Sequence, residues 1–151
     1  MSLPSSVPTK VDVLSGCFLA TTREIIERVG AFDEDFFIYG EDTDWGKRML
    51  KAGLKSVFYP VAGAIHIGGA SSAKDPVRFL QLKLRSDLLY FKKHHDFYSY
   101  RAYVLIKVIH YSVRAAIGTA MSFLTFYRDQ RWTSRMRENS QCLLALLRPL
   151  I

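Results

Sequence analysis

The stretch FDEDFFIYGEDTDWGKRMLKAG, residues 32 to 53, holds the side chains of this sequence best suited to chemistry. Asp33, Glu34, Asp35, Glu41, Asp42 and Asp44 crowd together there, interleaved with Phe36, Phe37, Ile38 and Tyr39. A solvated acidic face has no need of that aromatic spacing. Rings that bury would hold the loop still and present fixed carboxylates. Two readings of Glu41 and Asp42 follow. Both stand at a helix start, where carboxylates meet free N–H groups and the positive end of the dipole. Gly40 before them also permits a sharp turn and close approach by a ligand, which suits a carboxylate that accepts a proton or holds a cation.

His66, in AIHIGG, is the second candidate. An isolated histidine on an apolar segment serves as a satisfied core residue, or, beside the acid pair, in metal binding or proton transfer. A short helix and a returning strand would carry the chain back from Asp42 to His66. Cys17 and Cys142 have no Cys-x-x-Cys spacing and no second pair. That argues against a structural zinc site and fits a reducing compartment.

The elements that must position these residues are short. DVLSGCFLA, residues 12 to 20, reads as a buried strand or strand end around Gly16. TTREIIERVGAFD reads as a helix, with Thr21 and Glu24 at capping-box spacing and Gly30 as its stop. A second helix is expected from about Glu41 to Ala52, followed by a strand in LKSVFYP and an extended AGAIHIGG. Beyond Ser72 the pattern turns helical. Asp75 and Pro76 open one helix, a long apolar segment runs from Tyr98 to Phe126, and a last helix spans about Trp132 to Leu147. Three regions result: a lead-in over 1–11, a unit over 12–72 and a basic amphipathic tail over 73–151.

Charge divides the same way. Residues 1 to 71 carry 7 Lys+Arg against 9 Asp+Glu, whereas residues 72 to 151 carry 14 against 5, within a net charge of +7. An acidic first half joined to a basic, aliphatic second half points to an anionic surface as the partner of the second. The segment 102–126 is long enough to span a bilayer, about 37 Å as a helix. Lys107 and Arg114 would each cost about 2.5 to 3.5 kcal/mol at its centre, which cancels the gain from its aliphatics. A helix lying in the membrane interface, or packed on its neighbours, is the better expectation. Nucleic acid is not expected as a partner, because the basic residues are mixed with Leu, Ile and Val and form no reader motif.

The ordered series Ser15-Gly16, the Arg-Glu helix, GAFDEDFF, GEDTDW, Arg48-x-x-x-Ala52-Gly53, then Pro60 and His66-x-Gly-Gly resembles the second half of the catalytic domain of family 2 glycosyltransferases, especially rhamnosyltransferase-like members. It covers roughly residues 14 to 72. The resemblance implies an α/β fold (α+β in this fragment), the C-terminal portion of a GT-A nucleotide-diphospho-sugar transferase, followed by a helical, membrane-associating tail.

For function, the resemblance implies an inverting transfer of a sugar from a nucleotide-diphospho-sugar to a hydroxyl of a glycan or lipid-linked acceptor. Asp42 would be the general base and Glu41 its neighbour, with Asp44 and Trp45 lining the acceptor pocket; core packing is an equal alternative for Trp45. The stretch around Gly16 and Cys17 would underlie the sugar-binding floor. His66 would help hold a divalent metal, Mg or Mn, with most ligands outside this chain. The resemblance places such a protein in the cytoplasm, peripheral to the inner face of the plasma membrane. The nucleotide-binding half is not found in these residues, and no Asp-x-Asp precedes the acid pair except within the acidic loop itself, so the chain reads as a C-terminal piece, inactive alone, with homodimerisation across an uncovered sheet edge a further expectation. RDQRW, residues 128 to 132, has the Arg-x-x-Arg-Trp form of processive synthases but falls too far from Asp42 to serve that pattern. The competing class is a non-catalytic membrane-surface or oligomerisation module.

Overall fold

A computed structural model of the chain describes residues 7–60, 65 and 75–147. It divides into two compact units, Met1–Ser71 and Ser72–Ile151. Helices dominate, with one two-stranded sheet.

In the first unit, strand β1 (Thr9–Val11) pairs antiparallel with β2 (Ser56–Phe58), Lys10 facing Val57. The strand expected within residues 12–20 therefore lies just before them, in the stretch read as lead-in. The chain from Asp12 onward instead bends, with a turn at Gly16 and Cys17. Helix α1 (Arg23–Val29) starts one residue later than the capping-box spacing implies, with Thr22 as N-cap. It ends at Gly30, whose φ of 85° is open to glycine at little cost. Helix α2 (Glu41–Lys51) buries Trp45 and Met49, and Phe36 in the loop before it is buried as well. Phe36 fulfils the anchoring role expected of the aromatic run. Phe37 does not; it is 79% exposed. Consecutive apolar neighbours in a non-helical loop cannot all face one side.

α2 is tied to the end of α1 by three consecutive carbonyls. The Arg48 guanidinium donates to Val29 O (2.8 Å) and Ala31 O (2.7 Å), and the Trp45 indole N–H donates to Gly30 O (2.8 Å). These are carbonyls that the end of a helix leaves without intrahelical donors. Phe32 meets the Trp45 ring edge-on at 5.4 Å.

The second unit is three helices: α3 (Pro76–His94), α4 (Phe97–Leu124) and α5 (Gln130–Leu147). Asp75 and Pro76 open α3 as their residue types require, the Asp75 carboxylate accepting from the Arg78 N–H at 3.1 Å. Asp96 caps α4, accepting from the N–H groups of Tyr98 and Ser99. Leu84, Leu88, Tyr111 and Cys142 form the core, flanked by Leu80, Tyr103, Val104 and Leu146. Each fully buried leucine contributes about 1.5 to 3 kcal/mol. Burial, with the Asp87 carboxylate beside it, pushes the Tyr103 phenol well above its usual range; burial also raises the Cys142 thiol.

α4 and α5 pack tightly at Gly118, where an added Cβ would stand 3.0 Å from the Met136 backbone. Lys107 turns to Asp87 at 3.6 Å. RDQRW is a helix start: the Asp129 carboxylate accepts from the Arg131 N–H at 3.0 Å and from its guanidinium. Among the described residues α4 is the one helix long and apolar enough to cross a membrane, by length and composition.

Candidate active site

The carboxylates sit at the mouth of α2. Tyr39 and Gly40 take consecutive left-handed conformations, φ 65° and 88°. A left-handed non-glycine residue costs of order 1 kcal/mol or more and persists only where its surroundings hold it. The two residues swing the chain sharply into the helix, and the Gly40 carbonyl accepts the Asp44 N–H at 2.8 Å. Glu41 and Asp42 thereby become the first two helical residues. Upstream, Asp33 closes the loop by accepting from the Asp35 N–H at 3.0 Å, and its own carbonyl accepts from Phe36 N–H.

Asp42 is partly buried and held from both sides. Its Oδ2 accepts the Gly16 N–H at 3.0 Å, across 26 residues of sequence. Its Oδ1 accepts from the Thr43 N–H (2.7 Å) and hydroxyl (3.2 Å). Gly46 makes the long-range contact geometrically available. On the helix face beneath, a Cβ at Gly46 would stand 3.1 Å from Val13 Cγ2 and 3.3 Å from the Asp12 carbonyl. Without that side chain, residues 12 and 13 run directly over α2 and deliver Gly16 to Asp42. Glu41 adds a second feature. Its Oε2 is buried and has no hydrogen-bond partner among the described residues. Leaving an acceptor in that state costs about 1 to 3 kcal/mol, more for a charge.

Asp44 lies one step further along and faces inward. It is 1% exposed and accepts from Arg48 Nε at 2.8 Å. Trp45 is 4% exposed, with its only polar atom spent on Gly30. The contacts of both residues brace α2 against the end of α1. The structure thus brings Glu41, Asp42, Asp44 and Trp45 onto one short helix, with Gly16 added from the chain before α1. His66 lies outside the described residues. Among those described, no group of three or more His, Cys, Asp or Glu side chains converges as a metal shell.

Three contributors escaped the sequence reading. Arg48 had a signal, since it stands four residues after Asp44 where a helix pairs opposite charges. Gly46 had one too: glycine inside a helix costs about 1 kcal/mol relative to alanine, so its presence asks for a packing reason. The backbone N–H of Gly16 had none, because a main-chain donor leaves no mark in composition or spacing.

Comparison with known proteins supplies the remaining finding. No family model and no solved structure matches the chain. Two curated relatives do, the N-acetylglucosaminyl-diphospho-decaprenol L-rhamnosyltransferases of Mycobacterium tuberculosis strains CDC 1551 / Oshkosh and ATCC 25618 / H37Rv. Each is 38% identical over 93 residues, which is 62% of this chain. The matched segment spans 30% of the length of those relatives. The resemblance to rhamnosyltransferase-like glycosyltransferases carried by the acid pair and its flanking motifs is thereby borne out, for a portion of such a protein.

Proposed function

We propose that this chain is the acceptor-side portion of an inverting glycosyltransferase of GT-A type that transfers a sugar from a nucleotide-diphospho-sugar to a hydroxyl of a lipid-linked acceptor, with Asp42 as general base. The observation that carries the reading is the fixed Asp42 carboxylate at the mouth of α2, beside a Glu41 oxygen that has no partner. The relatives' names, which specify N-acetylglucosaminyl-diphospho-decaprenol as the acceptor of a rhamnosyl group, support the lipid-linked class of acceptor.

The chemistry follows from the geometry. The acceptor hydroxyl oxygen attacks the anomeric carbon. The bond from that carbon to the diphosphate breaks, and its electron pair leaves with the nucleoside diphosphate. The hydroxyl proton passes to Asp42 Oδ2, which keeps one lone pair after accepting from Gly16. Gly16 fixes the direction of that lone pair, so the acceptor meets a base that need not be reoriented. Asp44 and Trp45 shape the acceptor side from beneath, by holding α2 in place.

A divalent metal, Mg or Mn, would neutralise the departing diphosphate; His66 is this chain's candidate ligand, with the rest of the shell elsewhere in the intact protein. The site would work in the cytoplasm, at the inner face of the membrane that carries the acceptor. A non-catalytic membrane-surface or oligomerisation module is the second reading, favoured by the apolar face that α4 leaves exposed: Ile106, Ile109, Val113 and Ile117 are all more than half exposed.

Calorimetry separates the two. A panel of dTDP-, UDP- and GDP-sugars with Mg or Mn is titrated into this chain and into the full-length protein. Binding by the full-length protein alone supports the proposed division of labour. Tight metal-dependent binding by this chain would reassign the carboxylates to the diphosphate, and no binding by either would favour the non-catalytic module.

A further inference from the structure

The α4–α5 hairpin carries a set of features that sugar transfer does not use. Between the two helices lies a cleft of about 210 Å³, lined by Arg114, Ile117, Gly118, Trp132, Arg135 and Asn139. Arg114 Nε donates to Asn139 Oδ1 at 3.1 Å, and its two terminal nitrogens have no partner among the described residues. The Arg135 guanidinium lies 5.1 Å over the Trp132 ring. Asp129, whose charge it feels, is already engaged by Arg131 through both carboxylate oxygens. Two guanidiniums therefore flank a cleft whose walls are methylene stems, an indole face and an isoleucine.

The end of the hairpin is built as a wedge. Phe126 and Tyr127 are both left-handed, with φ of 50° and 59°. Their N–H groups are fixed to Phe123 O (2.9 Å) and Ser122 O (2.7 Å), so the turn is held by its own backbone bonds. Phe126 is nonetheless 84% exposed, alongside exposed Phe123, Leu124 and Tyr127. Strain spent to hold aromatic rings in water points to a surface those rings enter. Ile106, Ile109, Val113, Ile117 and Leu124 continue the exposed apolar face along α4, recurring at helical spacing. Residues 97–147 carry seven Lys or Arg against two Asp or Glu.

We propose that this hairpin seats a phosphate-headed lipid of an anionic bilayer, with Phe126 and Tyr127 inserted and the guanidiniums of Arg114 and Arg135 on the lipid phosphate. The inference rests on the membrane-surface part of the proposed function and is independent of Asp42. The dimensions agree. Gly118 lies six residues, about 9 Å, from Leu124 along α4, and interfacial helices enter by about 5 to 10 Å. Insertion of the aromatic turn brings the cleft to headgroup level, where Trp and Arg side chains are favoured. A nucleic acid would satisfy the arginines but leave the aliphatic stripe in water. A second copy would set like charge against like charge.

Trp132 supplies the readout, since Trp45 is buried and beyond the reach of lipid-borne quenchers. The full chain is mixed with phosphatidylglycerol–phosphatidylcholine vesicles carrying brominated acyl chains, with phosphatidylcholine vesicles, and with inorganic phosphate. The expected result is quenching with the anionic vesicles, lost in Trp132→Phe. Vesicle affinity should fall about tenfold or more in Arg114→Gln/Arg135→Gln, and likewise in Phe126→Ser/Tyr127→Ser. Co-sedimentation with anionic vesicles without quenching would overturn the hairpin site while leaving a membrane role elsewhere in the chain. Absence of binding to any vesicle would sink both. Equal response to inorganic phosphate would show an anion site with no lipid preference and would equally overturn the proposal.

Discussion

The Gly16 N–H donates to Asp42 Oδ2 at 3.0 Å, joining the bend before α1 to the first turn of α2 across 26 residues. The contact depends on how closely residues 12 and 13 pass over Gly46. Gly46→Ala places a methyl group 3.1 Å from Val13 Cγ2 and 3.3 Å from the Asp12 carbonyl. Overpacking of this kind costs about 1 to 3 kcal/mol, partly offset by the better helix propensity of alanine. A lower melting temperature with faster hydrogen exchange at the Gly16 amide is expected; unchanged exchange there would show that the contact does not depend on Gly46.

Arg48 serves three acceptors with one guanidinium: Asp44, Val29 O and Ala31 O. Arg48→Ala removes the guanidinium that pairs with buried Asp44, a change that costs about 3 to 5 kcal/mol when such a pair is fully buried. The Arg48 side chain retains 25% exposure, which places the expected loss toward the lower end. Arg48→Lys should recover only a small part, because a lysine ammonium cannot span three acceptors set out as a planar fork. Chemical denaturation of the three proteins measures both differences. Full recovery by lysine would mean that charge alone matters at this position.

Acid should loosen the start of α4 at a lower pH than an ordinary aspartate would suggest. Hydrogen bonds from the Ser99 hydroxyl and backbone hold the Asp96 carboxyl below its usual value of 3.8. A group depressed in the folded state stabilises it above the unfolded pKa, and that contribution disappears as pH falls through the lower, folded value. The amides of Tyr98 and Ser99 should therefore stay protected at pH 4 and lose protection only below pH 3.8. Asp96→Ala should remove the pH dependence of their exchange. Early loss of protection, already complete near pH 5, would contradict the capping role.

The parts of the fold that were legible were those written in local chemistry. Asp75-Pro76 announces the start of α3, Gly40-Glu41-Asp42 the start of α2, and the aliphatic run after Tyr98 the body of α4. The strand in LKSVFYP was legible and is β2, but β1 was not, because a three-residue strand has too few residues to display a period of two, and Thr9–Val11 takes its conformation from pairing with Ser56–Phe58. The acid pair could be found from sequence, but not its geometry. Asp44 and Asp42 are the same residue type two positions apart, and only the fold buries one and leaves the other partly open. Arg48 decides that difference by claiming Asp44 from the inner face of α2.

The most direct test of the account is the paired measurement of sugar transfer and donor affinity in the full-length protein carrying Asp42→Asn. Asparagine keeps the shape and can still accept from Gly16, but it cannot take a proton from the acceptor hydroxyl. Loss of a positioned general base is expected to slow transfer by about 100- to 10,000-fold, while the dissociation constant for the nucleotide sugar stays within about twofold. Transfer at an undiminished rate would contradict the assignment of Asp42 as base. Loss of donor binding together with transfer would move Asp42 from the acceptor to the diphosphate.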